Sequence, residues 1–576
     1  MSRASGGLGL GLVLTVLLVQ PALAQTQPRE ALSPEVQRGE FDPRPLPLAE
    51  PAPAPTAPEP VPVPPPETAA FVLGGVIVEG VTALSPDDLA GLWQPLLGQP
   101  VTLQTLEALA TQITAAYRSA GFVLSQAIVP AQTIGDDGIV RLQVIEGFVD
   151  RIDAQGSTPA AQAIAGRLLA AAGAERPLRL ERLERGVLLA RDTLGGSVET
   201  ILQPSPTTFG AADLTIALEP KPAEGFAVVD NRSSRLFGPW VVRAGGSVTN
   251  TLGFGERIDL LGAAALGNPR LWYGQLGAAL PLAVLDDTWL DGARLRLRGD
   301  ITRADPDVQR LTPGLTSVQD EHNVGGELEV PVIRTRRENL FLSLAVNYRD
   351  SQAEARFFDD SLGVSTDRLL TFTPRLVYDR ADRFGGVSLI DLRLRQGLAK
   401  DGLTKIGTTG PGAPKADFTY AAGSVQRLQR VGTTRWSVFG EVIWQLAFDT
   451  VPNSERFSLG GDAMVRGFSP GNTTGDSGYG GRIEVRRTVN LPPIQGIESG
   501  ALLYGFGEWG SAIDRSDRRD GQQWEVLGSA GLGARIDVTP YLTLTPELAR
   551  QIAGRPADKA NNSRETRFFI GVVARF

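Results

Sequence analysis

The sequence predicts an α+β part followed by an all-β part: two tandem β-α-α-β-β units and then a transmembrane antiparallel β-barrel of about 16 strands. Three observations predict this fold. The first part shows the same order of strand and helix patterns twice, and the second part alternates apolar and polar residues in segments of about ten residues. The chain also begins like a secreted protein, yet no later segment is long and apolar enough for a membrane helix.

Composition excludes several classes of function. The chain has 576 residues, a net charge of −8 and an isoelectric point near 5.2, which does not favour a nucleic acid as partner. It contains no Cys and a single His, His322, so thiol chemistry and Cys- or His-based metal sites are not expected. We therefore predict no metal site, no cofactor and no enzymatic activity.

The first 24 residues are typical of a secretory signal peptide. Arg3 provides the positive start, Leu8 to Val19 is an apolar run, and Ala22-Leu23-Ala24 is a small-x-small cleavage site. The alternative is a membrane anchor, but the run is shorter than the ~20 residues that span a bilayer. The mature chain is therefore expected to leave the cytoplasm.

Residues 25–70 are predicted to be a proline-rich linker. Fourteen prolines lie between Pro28 and Pro66, so this segment cannot pack a core and favours extended polyproline II structure. A short helix over Glu30–Gln37 stays open as an alternative to a plain spacer.

Residues 71–147 are predicted to form the first α/β unit. "FVLGGVIVEG" alternates like a strand, Ser85 and Pro86 start a helix, and a second helix follows that ends at Gly121. Two strands are then predicted, "FVLSQAIVP" and "GIVRLQVIEG". Residues 148–221 repeat this order more loosely, with a strand "FVDRIDAQG", two helices and a closing strand "ADLTIALEP".

Residues 222–576 are predicted to form the barrel. In "LFLSLAVNYR", Leu342, Leu344 and Val346 share one face, while Ser343 and Asn347 share the other. A soluble β-sandwich would also alternate, so the periodicity alone does not decide. The arginine-rich second face, the signal peptide and the length of this part favour a membrane barrel.

The chain ends in "RFFIGVVARF", an alternating strand whose last residue is Phe576. An aromatic residue at the end of such a strand is a feature of barrels that the bacterial assembly machinery inserts. The alternative is an ordinary terminal strand.

Two short patterns are more specific than the periodicity. The first lies in "GFVLSQAIVPAQTIGDDGIVRLQVIEG" and consists of Gly121, Phe122, Pro130, Gln132, Glu146 and Gly147. The second is "VRGF", made of Val465, Arg466, Gly467 and Phe468. Together with the domain order, these patterns resemble the outer-membrane transporters of two-partner secretion, the hemolysin secretion/activation and filamentous-hemagglutinin-transporter family. The α/β units resemble the polypeptide-transport-associated (POTRA) domains of its superfamily, which also contains the barrel-assembly proteins.

The resemblance implies a partner for Arg466. In the family, the loop with this motif folds back into the barrel, and its Arg meets a carboxylate, usually Asp, on the inner wall. The candidate here is Glu508 in "LLYGFGEWG", which shares one face with Phe506 and Gly510, while Trp509 faces lipid. Gly467 is expected to allow a sharp turn beside the Arg. The simpler alternative is a hairpin tip with a solvated Arg466.

The resemblance also implies the function. It predicts translocation of an unfolded, hemolysin- or adhesin-like secreted partner across the bacterial outer membrane, with the POTRA domains in the periplasm. Besides the passenger, the expected partners are outer-membrane lipid and, during biogenesis, the barrel-assembly machinery. The alternatives are an insertase of the same superfamily and, less favoured because of the α/β units, a diffusion porin. An enzyme is a distant third, since no spacing of acidic residues stands out.

Overall fold

The computed structural model describes most of the chain after the linker, namely residues 70–156, 158–219, 221–266, 270–282, 292–358, 360–408, 413–494, 497–513, 525–557 and 563–576. The predicted signal peptide, the linker up to residue 69 and the helix considered at Glu30–Gln37 lie outside these residues. Within these ranges, no helix is both long and apolar enough to cross a membrane.

The first α/β unit is a small three-stranded sheet covered by helices. The strands Gly75–Glu79 and Ile139–Ile145 run parallel, and Gln126–Ile128 pairs antiparallel with Ile139–Ile145 at the sheet edge. Ser85 caps the first helix by accepting a hydrogen bond from the Asp87 N–H, and Pro86 occupies the first turn. The elements are β1 (Phe71–Val72), β2 (Gly75–Glu79), α1 (Pro86–Ala90), β3 (Pro100–Val101), α2 (Leu103–Ser119), β4 (Gln126–Ile128) and β5 (Ile139–Ile145).

The strand predicted at "FVLSQAIVP" is shorter in the structure than in the prediction. Only Gln126–Ile128 forms β4, because the preceding residues turn at the end of α2. The N–H of Phe122 donates to the carbonyl of Tyr117, and the N–H of Ser125 donates to the carbonyl of Phe122. The buried Phe122 side chain holds this turn in the core.

The second α/β unit has the same sheet topology. Its first and last strands run parallel, and the last strand lies in the middle of the sheet. The pattern missed one strand, Ser197–Pro204, where exposed residues alternate with half-buried ones at the sheet edge. The elements are β6 (Phe148–Gln155), α3 (Pro159–Ala174), α4 (Leu180–Leu194), β7 (Ser197–Pro204) and β8 (Ala211–Glu219).

The rest of the described chain forms a closed antiparallel barrel. Its eighteen segments make the 16 strands that the sequence predicted, because two strands are interrupted: Leu542–Leu544 continues as Glu547–Ala553, and Thr566–Phe569 continues as Gly571–Arg575. The segments are β9 (Ala223–Asp230), β10 (Val241–Thr249), β11 (Arg257–Ala265), β12 (Leu271–Pro281), β13 (Arg294–Ala304), β14 (Leu315–Arg334), β15 (Glu338–Phe357), β16 (Asp360–Ala381), β17 (Gly386–Gly397), β18 (Thr419–Arg430), β19 (Trp436–Ala447), β22 (Ser477–Ile494), β23 (Ile497–Ile513), β24 (Glu525–Thr539), β25 (Leu542–Leu544), β26 (Glu547–Ala553), β27 (Thr566–Phe569) and β28 (Gly571–Arg575).

The barrel closes between its first and last strands. β28 pairs antiparallel with β9, and the N–H and carbonyl groups of Phe576 and Gly225 bond to each other at 3.0 and 2.8 Å. The Phe576 ring is exposed and packs beside Gly225, where a larger residue would have no room. Closure removes the open edges that an unpaired sheet would expose to lipid.

The barrel wall has an apolar outer face and a polar inner face. Along β15, Leu342, Leu344 and Val346 are exposed, whereas Asn339 and Arg349 are buried inside. Because side chains alternate along a strand, apolar residues at every second position face the lipid, and the polar residues between them face the lumen.

The second unit is fixed to the barrel rim by α4. The guanidinium of Arg334, in β14, donates two hydrogen bonds to the Asp192 carboxylate, at 2.8 and 2.9 Å. Arg185 donates to the carbonyls of Pro331 and Val332. The α/β units therefore lie at the end of the barrel where β9 begins.

The connection between β19 and β22, residues 448–476, folds back inside the barrel. We call this segment the lumen loop. It begins at the end of the barrel remote from the α/β units, because β19 is the eleventh strand of an antiparallel series that starts at those units. It contains a two-stranded hairpin, β20 (Phe457–Leu459) and β21 (Thr473–Gly475).

Candidate functional site

The tip of the lumen loop, Met464–Phe468, is a tight turn held by its own backbone. The N–H of Phe468 donates to the carbonyl of Val465 at 3.0 Å, and the N–H of Gly461 donates to the carbonyl of Phe468 at 2.9 Å. Val465 has a φ of 66°, in the left-handed region that a β-branched residue rarely adopts. Gly467, which was expected to allow a sharp turn beside the Arg, lies inside this turn, but the residue with the left-handed backbone is Val465.

Gly467 is instead required by close packing against the wall. A Cβ atom on Gly467 would lie 2.9 Å from the Cβ of Ser529, closer than real Cβ contacts. The carbonyl of Gly467 accepts a hydrogen bond of 2.8 Å from the Nε2 of Gln551 in β26. The absence of a side chain lets the loop backbone touch the barrel wall here.

Arg466 is enclosed by three carboxylates of the barrel wall. Its Nε donates to Glu508 at 2.8 Å, its Nη1 donates to Glu547 at 2.8 Å, and its Nη2 donates to Glu484 at 2.7 Å. The backbone N–H of Arg466 also donates to Glu508, at 2.6 Å. Each guanidinium nitrogen thus meets a different glutamate, so the planar group is fixed in position and in orientation.

The cluster is dry and close to charge balance. Arg466 is 4% exposed, and the side chains of the three glutamates are 1% exposed or less. Three further arginines supply counter-charge: Arg482 contacts Glu508, Arg486 contacts Glu484, and Arg232 contacts Glu547. Because buried charges are costly when unpaired, this network stabilises the seated loop and penalises loss of one member.

The strand that carries Glu508 is shaped for the loop. Its Phe506 ring lies 3.8 Å from the guanidinium carbon of Arg466, a cation–π contact. Gly510 leaves the space that Leu459 of the loop fills, since a Cβ there would lie 2.9 Å from the Leu459 methyl groups. Trp509 points the other way and is 42% exposed on the outer face.

The remaining motif residues provide an apolar contact. Val465 and Phe468 are buried with Met464 against Leu527 and Ala512 of the wall. The tip therefore combines a charged side and an apolar side, and both are hidden from water.

Sequence reasoning missed Glu484 and Glu547, although alternation carries a signal for both. Glu484 lies between the outward-facing Ile483 and Val485, and Glu547 precedes the outward-facing Leu548. Alternation predicts that Glu484 and Glu547 face the lumen. It does not predict that they contact Arg466, because the three glutamates come from separate strands.

The second motif lies in the first α/β unit, where Glu146 ties two segments together. Its carboxylate accepts hydrogen bonds from the backbone N–H groups of Thr82 and Ala83, at 2.7 and 2.8 Å, and from the hydroxyl of Tyr117, at 2.7 Å. The Thr82 hydroxyl donates to the same carboxylate. Burial raises the pKa of Glu146, but the hydrogen bonds from Thr82, Ala83 and Tyr117 outweigh it and hold the pKa below its ordinary value.

Pro130 and Gln132 end the edge strand of this unit. The Gln132 side chain donates to the carbonyl of Arg141 at 2.8 Å and accepts from the Arg141 N–H at 2.8 Å. This side-chain amide therefore pairs with β5 where β4 has ended, as a backbone peptide would. It also donates to the carbonyl of Pro130, which holds the bend.

Gly121, Phe122 and Gly147 lie at the junction of the two units. The carbonyl of Gly121 accepts from the N–H of Leu180 at 2.9 Å, and that of Gly147 accepts from the N–H of Leu178 at 3.0 Å. Gly121 has a φ of 94°, and Phe122 lies under the guanidinium of Arg179 at 5.5 Å. These residues connect the first unit to the start of α4.

Comparison with protein families agrees with this architecture. The model of the POTRA domain, ShlB type, matches residues 71–147, and that of the haemolysin secretion/activation protein ShlB/FhaC/HecB matches residues 210–536. A POTRA domain followed by a closed 16-stranded barrel defines an outer-membrane transporter of the POTRA-plus-barrel superfamily. The chain belongs to the haemolysin secretion/activation protein family, as predicted from the two motifs, and its POTRA domain lies in the periplasm.

Individual relatives are distant but similar over most of their length. The heme/hemopexin transporter protein HuxB of Haemophilus influenzae is 23% identical over 504 residues, which cover 85% of this chain and 84% of that protein. The hemolysin transporter protein ShlB of Serratia marcescens is 24% identical over 478 residues, covering 81% and 79%. The structure of CdiB from Escherichia coli superposes with a TM-score of 0.71 at 18% identity and covers 100% of both chains.

Proposed function

We propose that this transporter moves one unfolded, secreted partner protein from the periplasm to the cell surface through its barrel. The observation that carries this proposal is the seated lumen loop. A barrel that holds a loop across its interior by a single arginine and three wall glutamates has a defined closed arrangement. The ionic and apolar contacts of the tip are confined to the segment Met464–Phe468, so the tip can leave the wall without unfolding it.

Arg466 and Glu508 are proposed to hold the loop in the closed arrangement. Displacement of the tip exchanges the three glutamate contacts of Arg466 for water or for the passing chain. The three glutamates and the arginines Arg232, Arg482 and Arg486 that stay behind then offer a polar path to an extended polypeptide.

The α/β units are proposed to capture the passenger before it enters the barrel. β7 is an edge strand, and beside it the α4 residues Leu183, Val187 and Leu188 line a small groove with Thr200, Glu184 and the barrel-rim residue Arg336. An extended segment can add to such an edge through backbone hydrogen bonds and place alternate side chains beside α4. The passenger that fits is an unfolded chain with apolar side chains at every second position.

Passenger folding outside the cell is proposed to make export directional. The sequence contains no phosphate-cradling Gly-Lys-Ser/Thr motif, and the proposed mechanism uses no nucleotide. A chain that folds on the far side cannot return through the barrel. This mechanism involves no chemical step, so the protein acts as a transporter and not as an enzyme.

The proposed domain boundaries are those that the sequence patterns predict: signal peptide 1–24, linker 25–70, POTRA units 71–147 and 148–221, and barrel 222–576. Outer-membrane lipid contacts the apolar outer face, and the barrel-assembly machinery inserts the chain through its last strand, with Phe576 as signal. Depletion of that machinery should leave the chain unfolded in the periplasm. Normal insertion under depletion would exclude this partner.

The direct test replaces Arg466 with Ala. We expect Arg466→Ala to abolish or strongly reduce secretion of a candidate exported protein encoded beside the transporter, while the barrel still inserts and migrates as folded protein. Arg303→Ala is a matched control, because Arg303 pairs with Asp320 on the exposed outer rim. Normal secretion by Arg466→Ala would refute the gating role.

Deletion of the transporter distinguishes export from the alternative function, outer-membrane protein insertion. An insertase would be required by membrane barrels and not by one soluble exported protein. If deletion of the transporter lowers the amount of other outer-membrane barrels and leaves the exported protein unaffected, the insertase function replaces the one proposed.

A further inference from the structure

The lumen loop has a second buried ionic contact, at its base. We define the base as residues 451–456, the segment that turns from the end of β19 into the barrel. Glu455 lies in this segment, is 5% exposed and is outside the motif around Arg466. Its carboxylate is held by a set of wall residues different from those that hold the tip.

Two arginines and a tyrosine bind the Glu455 carboxylate. Arg395 in β17 contacts both of its oxygens at 2.8 Å. Arg349 in β15 donates to it at 3.1 Å, and the Tyr420 hydroxyl in β18 donates at 2.8 Å. The Arg349 guanidinium also donates to the carbonyl of Ser454 at 3.2 Å, so it holds both the side chain and the backbone of the base.

Further backbone contacts make the base a fixed point. Nε2 of Gln445 donates to the carbonyls of Glu455 and Asp476, at 2.9 and 3.0 Å, and so joins the two ends of the loop. The carboxylate of Asp476 accepts from the N–H of Val451 at 3.0 Å. Val451 itself is 2% exposed and packs with Tyr420.

The two contacts have opposite charge patterns and separate partners. At the tip, a loop arginine meets wall glutamates from β22, β23 and β26, whereas at the base a loop glutamate meets wall arginines from β15 and β17. The described wall residues that bind the tip are not those that bind the base. Release of one contact therefore leaves the charge pairing of the other intact.

We propose that Glu455 is a positioning residue that anchors the base of the lumen loop independently of the tip. When Arg466 leaves its glutamates, the base stays attached to the wall, and the loop swings about it instead of leaving the barrel. The anchor returns the tip to the same site after each movement. This attachment does not depend on what passes through the pore.

Labelling of a cysteine in the base tests the anchor. Because the chain has no native Cys, Val451→Cys provides a single buried thiol on the side of the barrel remote from the α/β units. A membrane-impermeant maleimide should label it slowly in the parent and about tenfold faster or more when Glu455→Gln is added, because loss of a buried pair favours local opening. Glu455→Asp, which keeps the charge, should restore most of the protection.

Two comparisons make the result specific. Arg466→Ala should leave the Val451→Cys thiol as slow as in the parent, because the tip is not its anchor. Glu354→Gln removes an equally charged side chain from an exposed pair with Arg356 on β15 and should also leave the rate unchanged. All variants are compared as folded, membrane-inserted barrels without any passenger, so failure of the export proposal would not affect the readout.

Two outcomes would overturn the anchor: slow labelling in Glu455→Gln, or labelling in Arg466→Ala as fast as in Glu455→Gln. If Glu455→Gln fails to insert, Tyr420→Phe decides, since it removes one hydrogen bond to Glu455 and no charge. Faster labelling of that variant supports the anchor, and unchanged labelling refutes it.

Discussion

Arg466 shows why the identity of a single side chain matters in this barrel. Its three guanidinium nitrogens point to three glutamates on different strands, a geometry that a point charge cannot reproduce. Phe506 stacks on the same plane and fixes its tilt. A positive charge alone is therefore not sufficient at this position.

Arg466→Lys should consequently behave like Arg466→Ala and not like the parent. A lysine amine reaches one glutamate well and leaves the other two with weakened contacts, each loss being about 1.5–3 kcal/mol for a hydrogen bond to a charged group. Secretion of the passenger measures the effect, with Arg303→Lys on the rim as control. Full activity of Arg466→Lys would show that charge without geometry holds the tip.

Glu146 predicts a pH dependence in the first POTRA unit. Its pKa is lowered in the folded state, so its contribution to stability is complete above the ordinary value of 4.5 and is lost as the pH falls through the folded pKa. Glu146→Gln should lower the free energy of unfolding of this unit by about 1–3 kcal/mol at neutral pH, because four donor groups lose a charged acceptor. The difference from the parent should shrink in acid.

Pulse proteolysis of the full-length protein in urea, at neutral pH and below pH 4.5, measures this difference. Glu79→Gln is the control, since Glu79 forms an exposed pair with Arg141. A stability loss that stays constant with pH would contradict the role assigned to the ionised Glu146.

At the scale of elements, α4 joins the capture unit to the barrel. Its residue Asp192 receives a two-fold hydrogen bond from Arg334, which is 4% exposed at the end of β14. The same helix lines the small groove next to β7. The groove is thereby held at a fixed distance from the mouth of the barrel.

Asp192→Asn should weaken the attachment of α4 to the barrel rim without unfolding the second α/β unit or the barrel. The change weakens two charge-assisted hydrogen bonds to a buried arginine, by about 2–3 kcal/mol together. Hydrogen–deuterium exchange of the α4 amides should become faster, whereas Glu181→Gln on the exposed side of the same helix should not change it. Unaltered exchange in Asp192→Asn would mean that other contacts, such as those of Arg185 with the Pro331 and Val332 carbonyls, fix α4 to the barrel.

At the scale of the whole molecule, sequence patterns predicted the strands and the barrel, but they did not predict most contacts between residues that are distant in the chain. Alternation gave the barrel, and near-uniform strand spacing gave its size, because both are properties of consecutive residues. The contacts of Arg466 with Glu484 and Glu547 and the Glu455 anchor were not predictable in this way, since they bring together strands far apart in the chain, and Glu508 was predicted only through the family resemblance. The turn at Val465 was missed because tertiary packing overrides the preference for glycine.

The account depends on the tip of the lumen loop leaving the wall during transport, and a disulfide tests this most directly. Gly467→Cys with Ser529→Cys places two sulfurs between the tip and β24 in a chain that has no other cysteine. The Cβ positions are 2.9 Å apart, so the tip must withdraw slightly to reach the usual separation of about 3.5–4.5 Å. We predict that the oxidised, inserted transporter secretes no passenger and that dithiothreitol restores secretion. Equal secretion by the oxidised and reduced forms would contradict the movement of the loop.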